Sequence, residues 1–305
     1  MKLCAVSVDL DEIPNYFRIH GLAEPGPLSR HAVYDVAIDR LLAMAAAGGM
    51  PLTLFAIGSD LARPESATKL RHAREAGHEM ANHTLDHRYD LTRLERAEIA
   101  HQIGAGADAI ERATGERPVG FRAPGYTISD QVFSVLRELE VLYDSSVFPC
   151  PAYYAAKAAA LGLIRLRGRT SHSVLDTPRV LTAPVQPYRA GVPYWKPAQE
   201  GLLELPIQVT RGLRLPVIGT SITLAGPARA RMLARMCVGM PLVNLELHGI
   251  DVLDAGDGLD ALLPYQPDVR VSRERKLESL HAAFDTLRNA GYSFVTLREA
   301  AAAFS

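Results

Sequence analysis

Two histidines four residues apart, His83 and His87, stand inside Gly77-His-Glu-Met-Ala-Asn-His-Thr-Leu-Asp-His87. If the segment between them is helical, both imidazoles come to one face, because an α-helix returns after 3.6 residues. Such a pair is a two-ligand clamp for a divalent metal, and imidazole suits Zn, Co, Ni or Fe better than Mg or Ca. Two surface histidines would show the same spacing, so the neighbouring motifs decide between the readings. Lys2-Leu-Cys-Ala-Val-Ser-Val-Asp-Leu-Asp11 is a short β-branched run ending in carboxylates at i and i+2. In a strand Asp9 and Asp11 project from one face, and paired acids there are costly unless they meet a cation. One such carboxylate would complete a two-His, one-carboxylate site with positions left open for water and substrate.

Two further segments carry candidate chemistry. Gly120-Phe-Arg-Ala-Pro-Gly-Tyr126 follows an expected strand, and its Arg122 could pair with a carboxylate and hold it ionised. Leu242-Val-Asn-Leu-Glu-Leu-His-Gly-Ile-Asp251 is an apolar strand ending in His248. The C-terminal lip of a buried strand is where an α/β enzyme keeps catalytic groups, although a core histidine could end a strand in the same way.

The elements expected to position these residues alternate. Strands are read at 3–9, 52–57, 78–82, 118–122 and 142–147, then again at 202–209, 242–248 and 293–296. Helices are read at 31–47, 64–76, 92–114, 129–140, 227–238 and 272–290, with a closing helix after the last strand. Such alternation implies a parallel sheet. The segment 12–20 reads as a loop rimming the pocket, with His20 as an additional candidate. The stretch 150–226 reads as an irregular insertion rich in Pro and aromatics. Its only tryptophan, Trp195, is the preferred substrate contact there.

Taken in order, Asp-x-Asp, His-Thr-x-x-His, Phe-Arg-x-Pro, Tyr143-Asp-Ser-Ser146 and a strand-terminal His resemble the NodB-homology polysaccharide deacetylases. These are metal-dependent carbohydrate esterases that remove N-acetyl groups. The resemblance runs from Lys2 to about Leu297. It implies one domain over 1–305, built as a distorted, incomplete (β/α) barrel of about seven parallel strands. It implies Asp9 as general base, Asp11, His83 and His87 as metal ligands with Zn the expected ion, and Arg122 as the residue orienting the base. The backbone amide of Gly125 would help form an oxyanion hole, and His248 would be the general acid. The family's usual adjacent aspartates are here separated by Leu10, which is similar to the Asp-x-Asp branch of peptidoglycan-type and lipid-linked aminoarabinose deacylases.

The chemistry these residue types allow is amide hydrolysis. A divalent cation polarises the carbonyl and lowers the pKa of its bound water towards ~7. Asp9 takes the proton, and His248 protonates the leaving amine. No Gly-x-Ser-x-Gly elbow is present, which disfavours a serine hydrolase. Tyr126 and Asp144, inside two of the motifs, are candidate substrate contacts. The main departure is Glu246, where the family carries an aliphatic residue against the acetyl methyl. In phase with His248, Glu246 either binds a substrate amine or hydroxyl, is turned away by a register shift, or pairs with an arginine. Asp251 could orient the His248 ring, bind substrate, or simply end a turn.

The leading expectation is therefore N-deacetylation of an amino sugar, glycan precursor or related metabolite. A deformylase of a lipid-linked amino sugar, an allantoinase-like cyclic-amide hydrolase and a non-catalytic carbohydrate-binding relative are the alternatives. A net charge of −1 excludes the basic excess expected of a nucleic-acid partner. No apolar run approaches the ~18 residues of a membrane span. Cys4, Cys150 and Cys237 are odd in number and lack metal spacing. With no signal-like segment ahead of the first strand, the expected location is cytoplasmic. A homo-oligomer stays open.

Overall fold

The computed structural model describes residues 1–27 and 29–305. Among them are nine strands: β1 (Leu3–Asp9), β2 (Thr53–Ala56), β3 (Glu79–Asn82), β4 (Gly120–Phe121), β5 (Tyr143–Asp144), β6 (Tyr188–Arg189), β7 (Leu203–Glu204), β8 (Leu242–His248) and β9 (Ser293–Val295). They form one sheet in the order β6-β7-β5-β4-β3-β2-β1-β8, with β9 also paired to β1. Every pairing is parallel except β6 with β7. The chain beyond β7 curls the sheet on itself: the Ile207 N–H donates to the Val147 carbonyl at 2.9 Å and the Gln208 N–H to the Asn244 carbonyl at 3.1 Å. The incomplete barrel expected from the motifs is borne out, with eight parallel strands and one short antiparallel strand in place of about seven.

The helices are α1 (Ile13–His20), α2 (Ile38–Gly48), α3 (Pro64–Glu75), α4 (Arg96–Thr114), α5 (Asp130–Glu138), α6 (Pro151–Leu166), α7 (Gly219–Ala225), α8 (Pro227–Arg235), α9 (Arg273–Asn289) and α10 (Leu297–Phe304). Three of them, α1, α6 and α7, correct the sequence reading. The segment after Asp11 is helical because Pro14 sits in the first turn, where its missing N–H costs nothing, and Gly21 closes the helix at φ 61°. The region 150–226 is not irregular throughout. It contains α6, sixteen residues of mostly alanine and leucine started by Pro151, and also α7.

Period-two alternation along β1 decides what the barrel holds. Cys4, Val6 and Val8 face the layer packed by α2, α8 and α9. Leu3 and Ala5 face inward on an apolar floor with Phe55, Ala81, Tyr143 and Leu203. Ser7 and Asp9 continue that inward row above the floor. The upper barrel is polar: Ser7, Asp9, Arg122, Ser145, Asn244 and Glu246 are all buried.

Candidate metal centre and catalytic cleft

β1 stops at Asp9, and its parallel register sets that residue between Phe55 of β2 and His248 of β8. Asp11 lies two residues past the strand. Both carboxylates still approach one imidazole: His83 Nε2 is 3.8 Å from Asp9 Oδ2 and 3.3 Å from Asp11 Oδ1. His87 Nε2 is 3.2 Å from Asp11 Oδ2. Asp11, His83 and His87 are all buried, and one donor atom from each lies within 4.8 Å of the others.

The segment between the two histidines is not helical, so a turn rather than a helix face brings the rings together. β3 ends at Asn82, and the chain then turns through Thr84 and His87, at φ 71° and 52°. Side-chain hydrogen bonds build this turn. Asn82 Oδ1 accepts from the Thr84 N–H at 3.0 Å, while Thr84 Oγ1 accepts from the His87 N–H at 3.0 Å. The turn presses on α4 at Gly106, where a Cβ would stand 2.7 Å from Asn82 Oδ1. The result brings the two rings to 4.8 Å, centroid to centroid.

The donor set fits a divalent cation. His83 Nδ1 sits 2.7 Å from the Arg122 carbonyl, which places the proton on Nδ1 and leaves the Nε2 lone pair free. Both ring nitrogens of His87 and Oδ1 of Asp11 are buried without hydrogen-bond partners. Buried polar atoms left so are costly, and a cation bound by two imidazoles and a carboxylate satisfies them together.

Arg122 is fully buried behind Asp9. Its Nη1 donates to Asp9 Oδ1 at 2.6 Å, Nη2 to the Ser7 and Ser145 hydroxyls at 2.9 Å each, and Nε to the Ser145 carbonyl at 2.8 Å. Four acceptors hold the fork rigid, so Asp9 is fixed in direction through one oxygen while the other faces His83.

His248 closes the opposite side, with Nε2 3.9 Å from Asp11 Oδ2. Here Glu246 corrects the sequence reading. It is not in the cleft wall, paired with an arginine or turned away by a register shift. It is fully buried, with Oε1 2.8 Å from His248 Nδ1. The contact angle leaves both Glu246 oxygens without a well-formed hydrogen bond. At that separation it acts chiefly as a close charge pair. Burial works against a charged His248, but Glu246 and then Asp11 outweigh it and lift the imidazole well above its ordinary pKa.

Asp251 also lies away from substrate. It is fully buried and its Oδ2 accepts from the His248 N–H at 2.8 Å. Gly219 makes room, since a Cβ there would fall 1.8 Å from that same oxygen. Nearby Lys276, equally buried, donates to the Ile250 and Leu253 carbonyls at 2.9 and 2.6 Å and pins the loop that carries Asp251. Asp144 is buried in β5 and accepts from the Ser146 hydroxyl at 2.7 Å, so it too is below the cleft. Trp195 is elsewhere, edge-on to Tyr194 at 5.1 Å with Arg179 over its ring. His20 binds Gln266 Oε1 at 3.1 Å.

The cleft above Asp11 and His248 has a volume of about 320 Å³. Gly125 and Tyr126 line it as the sequence suggested, Gly125 at φ 62°. The 12–20 segment rims it as expected, though as α1, with Tyr16 and Ile19; Tyr89 and the α6 residues Tyr153, Ala156, Lys157 and Ala160 were not read as cleft walls. The hydroxyls of Tyr16, Tyr89 and Tyr126 are buried without partners. Burial pushes all three phenols up, so they stay neutral donors. No motif spacing marks these residues; only the placement of α1 and α6 does.

Residues 32–143 match the family model for polysaccharide deacetylases, which bears out the resemblance read from the motifs. No curated protein matches the chain. Among solved structures, a Mycobacterium smegmatis protein assigned as a polysaccharide deacetylase superposes with a TM-score of 0.54 at 20% identity, covering 97% of this chain and 93% of that one. A family 4 carbohydrate esterase from Streptomyces lividans, solved with acetate, gives 0.50 at 12% identity, covering 96% and 91%. A pseudoenzyme of that family from Bacillus anthracis gives 0.52 at 13% identity, covering 98% and 64%. An esterase and a pseudoenzyme share this fold, so the side chains must carry any functional conclusion.

Proposed function

We propose, from a chain whose residues 32–143 match polysaccharide deacetylases, that the protein is a metal-dependent hydrolase of carbohydrate N-acyl groups, with the N-acetyl of an amino sugar as the favoured substrate. The observation that carries this reading is one cleft with three functions on its walls. Asp11, His83 and His87 form the donor set, the Arg122-bound Asp9 stands beside them, and His248 faces them. A divalent cation bound there supplies Lewis-acid polarisation of the amide carbonyl and acidifies water.

The remaining work falls to the chain. Asp9, its outer oxygen free, accepts the proton of the attacking water. Gly125 lines the cleft, and its backbone N–H is the donor assigned to the developing oxyanion, an interaction worth about 3 kcal/mol in comparable sites. His248, whose protonated form the adjacent Glu246 favours, donates from Nε2 to the departing amine nitrogen. The free phenols of Tyr16, Tyr89 and Tyr126 supply donors for sugar hydroxyls. A compact polar cyclic amide would be favoured by a carboxylate on the cleft wall at Glu246, and the burial of Glu246 behind His248 withholds it.

The direct test is release of amine and acetate from N-acetylglucosamine oligomers, with and without exhaustive chelation. Turnover that chelation stops and Zn restores is expected; turnover indifferent to chelation would refute the assignment.

A second test concerns pH. Glu246 holds the His248 proton on, so the acid form persists to higher pH than an isolated imidazole would allow. Glu246→Gln removes that charge while keeping the shape. The basic limb of the kcat/KM profile should move to lower pH, with the acidic limb in place. Unmoved limbs would show that Glu246 serves packing alone.

A further inference from the structure

Helix α6 has a composition that soluble proteins normally bury. Between Pro151 and Leu166 its charged residues are Lys157 and Arg165, both basic, and the rest is Ala, Leu, Gly, Tyr, Ile and Pro. A helix apolar on all sides belongs in a core or in lipid. Yet no residue of α6 is buried. Its inner face, with Tyr153, Lys157 and Ala160, walls the cleft. Helical spacing puts Ala152, Ala155, Ala159, Leu163 and Leu166 together on an adjoining face, roughly 110° round the helix from the cleft side, and all five are exposed. The two leucines are 47% and 87% exposed.

The charge around this stripe favours one kind of surface. Arg165 and Arg167 are exposed and form no ion pair among the described residues, and Arg169 follows on the same tract. No acidic residue interrupts the chain from Pro151 to Leu175. An exposed apolar stripe ending in unpaired guanidinium groups suits the boundary of an anionic bilayer, where apolar side chains enter the acyl region and cations meet phosphates. A second protein chain would require acidic groups to meet those arginines. Among the described residues no helix is long and apolar enough to cross a membrane, so the attachment would be peripheral.

We propose that α6 docks the protein on an anionic lipid surface, with Leu163 and Leu166 in the acyl region and Arg165 and Arg167 among the phosphates. The cleft is thereby presented to an amide carried by an amphiphile in that surface. The second half rests on the amide-hydrolase reading; the first does not.

Flotation of the metal-loaded full chain with vesicles decides the first half without turnover. Binding is expected to vesicles of phosphatidylglycerol and phosphatidylcholine and to be weak on phosphatidylcholine alone. Leu163→Glu with Leu166→Glu should weaken it at least about a hundredfold, and Arg165→Ala with Arg167→Ala about thirtyfold. Both pairs are exposed, and far-UV circular dichroism should stay unchanged. Wild-type protein that ignores anionic vesicles, variants that bind as well as wild type, or a solution dimer split by the leucine pair would each overturn docking. For the second half, the leucine pair should slow hydrolysis of a long-chain alkyl glycoside of N-acetylglucosamine in those vesicles at least tenfold. Hydrolysis of the free sugar oligomer should be unaffected. Equal slowing of both substrates would overturn this half. Failure of wild type on both would instead sink the hydrolase reading and leave the flotation result standing.

Discussion

His87→Asn is expected to yield a folded protein that retains less than a tenth of the metal and has lost turnover. Asparagine is chosen because His87 sits at φ 52°, a region that Asn tolerates and Ala does not. The backbone N–H that holds the turn, donated to Thr84 Oγ1, is unchanged. What disappears is one of two imidazoles, replaced by a shorter neutral amide that is a poor ligand for a borderline cation. Removing the cation removes several kcal/mol of charge stabilisation at the carbonyl. Taking that as about 4 kcal/mol, the rate falls about a thousandfold. Metal analysis after gel filtration and initial rates on the same samples check it together. A variant that keeps its metal and its rate would remove His87 from the ligand set.

Asp9→Asn separates chemistry from metal binding. Asp9 touches the ligand set only at 3.8 Å, from Oδ2 to His83 Nε2, and offers its other oxygen to Arg122. An amide in its place keeps an acceptor for Arg122, which also retains Ser7 Oγ, Ser145 Oγ and the Ser145 carbonyl. Folding should survive with a loss of about 3 kcal/mol, since the buried guanidinium keeps its neutral acceptors and the nearby Glu246 but loses its paired carboxylate. Metal content should match wild type. The base is gone, and its absence should lower kcat by roughly 10²–10⁴. Thermal denaturation, metal analysis and kinetics on one preparation distinguish the cases. Normal turnover with bound metal would refute Asp9 as the base, and loss of metal would make it a ligand.

These two variants and the Glu246 pH test form a consistent set. One removes the cation, one removes the proton acceptor, and one detunes the proton donor. A purely structural cluster would give three losses of stability with no such division.

How much of this was legible in the chain depends on the distance over which each feature is encoded. The alternating strands and helices were readable because period-two and 3.6-residue patterns are local. The ends of β1 and β8 were readable too, since an apolar β-branched run ending in Asp or His is contiguous. From those, Asp9, Asp11, His83, His87, Arg122 and His248 could be placed near one rim, and the structure does bring them together. The form of the clamp was not readable. A spacing of four suggests a helix, but Asn82 and Thr84 offer the backbone a competing side-chain turn that reaches the same ring proximity.

What tertiary structure alone decided is the environment of each group. Period two puts Glu246 and His248 on one face of β8, but whether Glu246 met substrate, an arginine or the His248 ring depended on how the polar interior of the incomplete barrel packs around it. Asp251, Asp144 and Trp195 invite function by type, but the structure holds them on near neighbours in the chain, the His248 N–H, the Ser146 hydroxyl and the Tyr194 ring, in caps and packing that composition does not reveal. Helix α6 is the converse. Its alanine-rich composition favours a helix, although the Pro- and aromatic-rich surroundings read as irregular, and only its position over the cleft, with neither face buried, makes it part of the site. Residue type and local periodicity are properties of the chain; burial and partnership arise only when segments far apart in sequence share one space.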